Sequence, residues 1–211
     1  MKNLIFLAFG LFLIIGCSST KSALKNDFSK KESRLIMNAD SLSPMRIYKI
    51  TNTKDSLLLR TKSGYMKPDP KNKTLHLFIK RLYATVRDSI SMGVGIAAPQ
   101  VGVLKNIIWV QRFDKEHFPF EVYLNPKIIK YSEDKQTVKE GCLSIPNRTE
   151  ILNSRAQSIT IEYDTIKGEH KTETVTSFTS VIFQHEIDHL NGILYLDHLQ
   201  KELDNTKKTN Y

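Results

Sequence analysis

Cysteine is nearly absent from this chain: of 211 residues only Cys17 and Cys142 carry a thiol. Two cysteines allow one disulfide at most, so the chain is not a disulfide-stapled scaffold. Long apolar runs are also lacking. The longest, Leu4 to Ile15, is well short of the roughly 20 residues that span a bilayer. Internal repeats are absent, which excludes solenoid and propeller architectures. Acidic residues are outnumbered, 22 against 31 Lys and Arg, giving a net charge of +9. Such an excess can serve nucleic acid or an anionic surface. Here the lysines are scattered, with pairs only at Lys30-Lys31 and Lys207-Lys208 and no aromatic interleaving. Ordinary solvated charge accounts for them and no nucleic-acid partner is expected, while weak attraction of the N-terminal region to anionic headgroups stays open.

Lys2 supplies a positive start, Leu4 to Ile15 an apolar core, and Gly16-Cys17 a processing junction followed by Ser-Ser-Thr. This resembles a bacterial lipoprotein signal cleaved before Cys17, whose thiol then carries lipid; an uncleaved membrane anchor is the other reading. Residues 1–16 are thus expected to be a signal peptide and residues 17–44 a lipidated cysteine with a flexible tether. The stretch from Ser18 to about Asn38 is rich in Ser, Lys, Asn and Asp and poor in apolar residues. Residues 45–203 would form one domain, comfortable for a single core, and residues 204–211 a disordered basic tail. The expected location is the bacterial envelope; translation starting at Met45 would instead give a cytoplasmic protein. With Cys17 lipidated, Cys142 is the sole remaining thiol and no intramolecular disulfide is available.

What is present is chemically dense. Gln184-His185-Glu186-Ile187-Asp188-His189 places two histidines four residues apart, hence on one face of a helix, where both imidazoles can reach one cation. Glu186, beside the first, can take a proton from water bound there. A hydrolytic metal site needs a third protein ligand and an open position. Downstream of His189 only His198, Glu202 and a few aspartates remain, none at a recognisable spacing. Upstream, Glu140-Gly141-Cys142-Leu143-Ser144 offers Cys142; a lone cysteine is most often a small buried hydrophobe, but a Cys/His/His set would hold a divalent metal. A third segment runs from Gly93 through Val94-Gly95-Ile96-Ala97-Ala98-Pro99 to Gln100. Its glycines permit close backbone approach, and Gln100 carries an amide donor.

The three segments together resemble the peptide deformylase family, whose members carry GxGxAAxQ, EGCxS and QHExDH in that order. The resemblance covers roughly Ile47 to Leu199. It implies Cys142, His185 and His189 as ligands of one divalent metal ion, Fe2+ foremost, with Zn2+, Ni2+ or Co2+ as alternatives. It implies Glu186 as general acid/base, with Gln100 and the backbone N–H of Leu143 stabilising the oxygen of the tetrahedral intermediate. The implied reaction is hydrolysis of N-formyl-methionyl peptides to formate and a free amine by metal-activated water. Asp188 is expected to be a structural ion-pair acceptor for Arg155, and Glu140 to order the loops of Gln100 and Cys142. Val94, Gly95, Val138, Glu140, Phe178, Val181 and Ile182 are the expected pocket residues. Ile96 stands where Leu is commoner, a volume-conserving swap. Ser177 and Ser180 stand where many members have Gly and Ala, so the start of the metal helix is more polar.

The expected fold class is α+β, with antiparallel sheets packed around a central metal-binding helix carrying HExxH; the sheet arrangement is what the resemblance implies. Periodicity alone predicts a helix over Lys73–Ser91, strands over Asn106–Gln111 and Glu121–Ile129, and a hairpin of Ser158–Tyr163 with Glu173–Thr176 about Lys167-Gly168. It also predicts a helix over Ser177–Asn191 stopped by Gly192. A monomer is expected. Three other readings remain: an HExxH peptidase with a downstream third ligand, an envelope enzyme acting on another N-acyl amine, and a non-catalytic formyl-peptide-binding lipoprotein.

Overall fold

The computed structural model describes residues 27–88 and 92–209. Cys17, and with it the signal and lipidation reading, lies outside them. Among the described residues no helix is long and apolar enough to cross a membrane.

The first element corrects the tether. Helix α1 (Lys30–Met37) opens with a capping box: the Ser29 hydroxyl accepts from the Glu32 N–H at 3.2 Å, and the Glu32 carboxylate accepts from the Ser29 N–H at 2.8 Å. Helix α2 (Thr53–Leu59) is capped by Asn52, and α3 (Lys73–Val86) by Asn72. Phe28 and Ile36 are buried with α3 residues, Phe28 meeting Phe78 edge-on at 5.5 Å. The Met45 N–H donates to the Thr85 hydroxyl at 2.8 Å. Arg81, buried on α3, donates to the carbonyls of Ser43, Leu35 and Ile36 and to the Asn38 side chain. Residues 28–45 are therefore part of the body. Composition understates them because a few apolar side chains, Phe28, Ile36 and Met45, reach the core beside α3 and one guanidinium takes three of their carbonyls.

A chain beginning at Met45 would lack Phe28 and Ile36 and would leave Arg81 buried without those acceptors. It is expected to lose several kcal/mol and melt at least ~10 °C lower than a chain beginning at Ser18, if it folds at all. Thermal unfolding of the two chains checks this.

Five strands form one antiparallel sheet in the order β1-β2-β3-β6-β7: β1 (Gly95–Ala97), β2 (Ile107–Gln111), β3 (Phe120–Tyr131), β6 (Ser158–Asp164) and β7 (His170–Thr176). Asn125 interrupts β3 as its Asn-Pro pair foretells: its φ is +52°, and the pairing with β6 shifts between Leu124 and Lys127. Gly168 turns the β6–β7 hairpin with φ +83°. A second, two-stranded sheet pairs β4 (Lys135–Cys142) with β5 (Ile145–Ala156). Helix α4 (Ser177–Leu190) packs against the large sheet through Ile182, Phe183, Ile187 and Leu190, and it also contacts β5. Buried on nearly every side, it is apolar or internally bonded almost all round. Its first residue, Ser177, has φ +55°, a left-handed conformation that glycine adopts more readily than serine. Gly192, φ +74°, follows its end.

Strands β3 and β7 run two or three residues beyond their expected ends, and two helical boundaries differ as well. Helix α3 ends at Val86 rather than Ser91. The C-terminal segment is not a disordered tail through residue 209: helix α5 (Tyr195–Thr209) runs through it with an exposed basic last turn.

Candidate active site

One face of α4 presents His185 and His189, with ring centroids 5.0 Å apart. Cys142, the last residue of β4, comes to that face with its Sγ 3.2 Å from His189 Nε2. One donor atom from each of Cys142, His185 and His189 lies within 4.8 Å of the others. His185 Nδ1 is bonded to Glu140 at 2.8 Å, which leaves its Nε2 for the cluster. Burial opposes ionisation of the Cys142 thiol, but His189 and His185 outweigh it and hold the thiol well below its ordinary range. A thiolate between two imidazoles is a donor set suited to a borderline-soft divalent cation.

Behind the histidines lies an ionic brace. Arg155, buried, donates to both oxygens of Glu140 (2.6 and 3.1 Å) and to Asp188 at 2.7 Å. Asp188 is also bonded to His198 at 2.8 Å. Burial pushes the Glu140 carboxyl up, yet the His185 hydrogen bond and Arg155 together bring it down to about 2. Beside the expected ordering of the Gln100 and Cys142 loops, the Glu140 carboxylate orients a histidine of the cluster, as carboxylates beside metal-binding imidazoles do. Sequence spacing does not reveal this, because Glu140 and His185 meet only through the packing of β4 on α4. His198 belongs to the same brace and carries no sequence signal for it.

Glu186 faces the cleft from α4 in a different environment. Burial dominates and pushes its carboxyl up to about 7, only partly offset by His185 and His189. Its Oε2 is buried without a hydrogen-bond partner. A carboxyl poised near neutrality and not committed to a structural bond is suited to proton transfer. Gly95 leaves the room for it: a Cβ there would stand 2.5 Å from Glu186 Oε1 and 2.8 Å from Ile182. Gly95→Ala is therefore expected to displace the carboxylate and lower kcat about 100-fold while the protein stays folded. Steady-state kinetics beside a melting curve separates the two effects.

Gln100 sits in a 3₁₀ turn (Ala98–Val101) directly after β1. Its Oε1 accepts from the Ala97 N–H at 2.8 Å, so its Nε2 must face the cluster, 3.6 Å from Cys142 Sγ and 3.4 Å from the Ser144 hydroxyl. The amide is an oriented donor beside the thiolate.

These groups open onto a cleft of about 710 Å³. Val94, Gly95, Phe178, Val181 and Ile182 line it, as does Leu143 in the turn between β4 and β5. Val138 is corrected: it pairs with Leu152 farther along the hairpin and is not among the lining residues. The bulged pairing of β4 with β5, which spacing cannot foretell, sets which residues reach the cleft. Met92, Lys139, Ile145 and Arg148 line it without having been foreseen.

Comparison with known proteins follows the same outline. The Polypeptide deformylase family model matches residues 47–205. A peptide deformylase of Desulforudis audaxviator is 37% identical over 155 residues, covering 72% of this chain and 94% of that protein. Among solved structures, a Met-Ala-Ser-bound class I type b peptide deformylase from Acinetobacter baumannii is similar with a TM-score of 0.62 at 31% identity, covering 74% of this chain and 98% of that one. A peptide deformylase from Thermotoga maritima gives a TM-score of 0.62 at 29% identity, with 74% and 97% covered.

Proposed function

The chain belongs to the peptide deformylase family, and on that premise we propose that Cys142, His185 and His189 hold one divalent cation beside which Glu186 drives removal of the N-formyl group from formyl-methionyl peptides. The observation that carries the reading is the juxtaposition of a Cys/His/His donor set with a buried, unbonded carboxyl. The donors fit the cation: the two imidazoles hold the thiol well below its ordinary range and one histidine is oriented by Glu140. A soft thiolate with two imidazoles suits Fe2+, with Zn2+, Ni2+ or Co2+ able to occupy the same set. When bound, such a cation supplies Lewis acidity, acidifying water and polarising the formyl oxygen.

The chain's own residues do the rest. Val94, Phe178, Val181 and Ile182 take the methionine side chain against apolar wall. Gln100 Nε2 and the Leu143 N–H meet the oxygen of the tetrahedral intermediate; one such donor contributes roughly 100-fold or more in rate. Glu186 takes a proton from the attacking water and hands it to the amine nitrogen as the C–N bond breaks. Formamide and water become formate and a free N-terminus.

The enzyme acts as a monomer held at the bacterial envelope through lipid on Cys17. The packing of residues 28–45 on α3 speaks against a start at Met45.

Removing metal with a chelator is expected to abolish formate release, and Fe2+ added anaerobically to restore it. Cys142→Ala should neither retain the ion nor regain activity. Release that survives complete metal removal, or a Cys142→Ala chain that keeps metal and activity, contradicts the reading; the latter would favour an HExxH peptidase-like site.

A further inference from the structure

The charged side chains that line the cleft are unevenly distributed. Its acids are Glu140, bonded to Arg155 and His185, and Glu186, at the reacting end. Its cations, Lys139 and Arg148, are both exposed and both lie on the β4–β5 hairpin. Strand alternation explains Lys139: Glu140 points into the brace, so its neighbour points out. Arg148 is placed by two features. Asn147 before it adopts φ +59°, a left-handed conformation asparagine tolerates. The Tyr195 hydroxyl donates to the Arg148 carbonyl at 3.0 Å, while the Tyr195 ring lies stacked 6.1 Å from His185. One tyrosine thus ties Arg148 to the reacting end of the cleft. The Arg148 Nε is bonded to Glu150 at 2.8 Å, which leaves the outer guanidinium nitrogens for a second anion.

An extended peptide rises about 3.3 Å per residue, so groups on the second or third residue lie roughly 7–10 Å from the formyl carbon. Tyr195, its ring 6.1 Å from His185 and its hydroxyl on the Arg148 carbonyl, links the reacting end to the backbone from which the Arg148 side chain leaves. Resting on the deformylase reading, we infer that Lys139 and Arg148 select substrates carrying a carboxylate on the second or third residue. That carboxylate is either the free C-terminus of a short formyl-peptide or an Asp or Glu side chain. The first source would make excised short formyl-peptides, rather than long nascent chains, the preferred substrates.

The test compares kcat/KM for formyl-Met-Ala-Ser as free acid and as amide, and for formyl-Met-Ala-Asp-amide against formyl-Met-Ala-Asn-amide. Wild type and the Lys139→Gln/Arg148→Gln double variant are assayed in parallel. Calorimetry of Met-Ala-Ser acid and amide gives binding ratios that need no turnover. The expected acid preference is about fivefold, carried mainly by KM, lost in high salt and close to one in the double variant. The arm that shows it identifies the source of the carboxylate. A wild-type ratio near one in both arms, or a preference that persists in the double variant, overturns the inference. Acid-selective peptide binding without formate release would instead overturn the deformylase reading and leave the rim's selectivity standing.

Discussion

Replacing Glu186 by glutamine is expected to lower kcat for formate release by about a thousandfold or more while the chain still binds one metal ion. Glu186 lies on α4 one residue after His185, buried, with one carboxylate oxygen unbonded and its acidity weakened by burial to about 7. A glutamine fills the same volume beside Gly95 but can neither take the proton of water nor return it to the departing amine. Because Glu186 is not one of the three clustered donors, metal content should not fall. Peptide affinity should change little, so the loss appears in kcat rather than KM. Equal loss of metal and activity would make Glu186 a ligand instead. Unimpaired turnover would remove it from the chemistry, and a physiological role that survived the substitution would favour a formyl-peptide-binding protein.

The second large effect concerns stability. Arg155→Met should destabilise the fold by about 3–5 kcal/mol, a drop of roughly 10–15 °C in Tm, because it leaves Glu140 and Asp188 without their common cation in the interior. Glu140 is the more exposed to this loss, being buried and held at about 2 by His185 and Arg155. The sign of the pH dependence follows. A carboxyl depressed in the folded state adds stability above its ordinary value near 4.5, and that stability fades as pH falls towards about 2. Asp188, likewise lowered, contributes with the same sign. Wild type should therefore lose stability across that acid window. In Arg155→Met the window narrows and moves to higher pH, since part of the depression is gone. Metal affinity should weaken too, because His185 depends on Glu140 for its orientation. Thermal unfolding between pH 2 and 7, with metal counted at neutrality, tests both consequences. A variant as stable as wild type at pH 7 would show that Glu140 and Asp188 find other partners.

The residues that meet in the cleft were legible because their spacing is physical. His185 and His189 are one helical turn apart, and three short segments in fixed order leave few ways to be assembled by chance. The paired strands β2, β3, β6 and β7 announced themselves through β-branched runs and turn residues. What escaped was whatever depends on long-range pairing. The β4–β5 hairpin alternates too weakly to read as two strands, and Lys139 rather than Val138 lines the cleft. Glu140 finds His185 and Arg155 only after β4 is laid on α4. The N-terminal arm illustrates the limit of composition: Ser29 and Glu32 spell a capping box in the sequence, and Phe28, Ile36 and Met45 anchor it in the core. The capping box, recognised, would have been the signal for α1.

The most direct test of the account measures bound metal and released formate on the same preparation of the purified chain, loaded anaerobically with Fe2+ and given formyl-Met-Ala-Ser. The account predicts one divalent ion per chain and one formate for each Met-Ala-Ser formed. A folded chain holding one ion at Cys142, His185 and His189 that releases no formate from any formyl-methionyl peptide would contradict it.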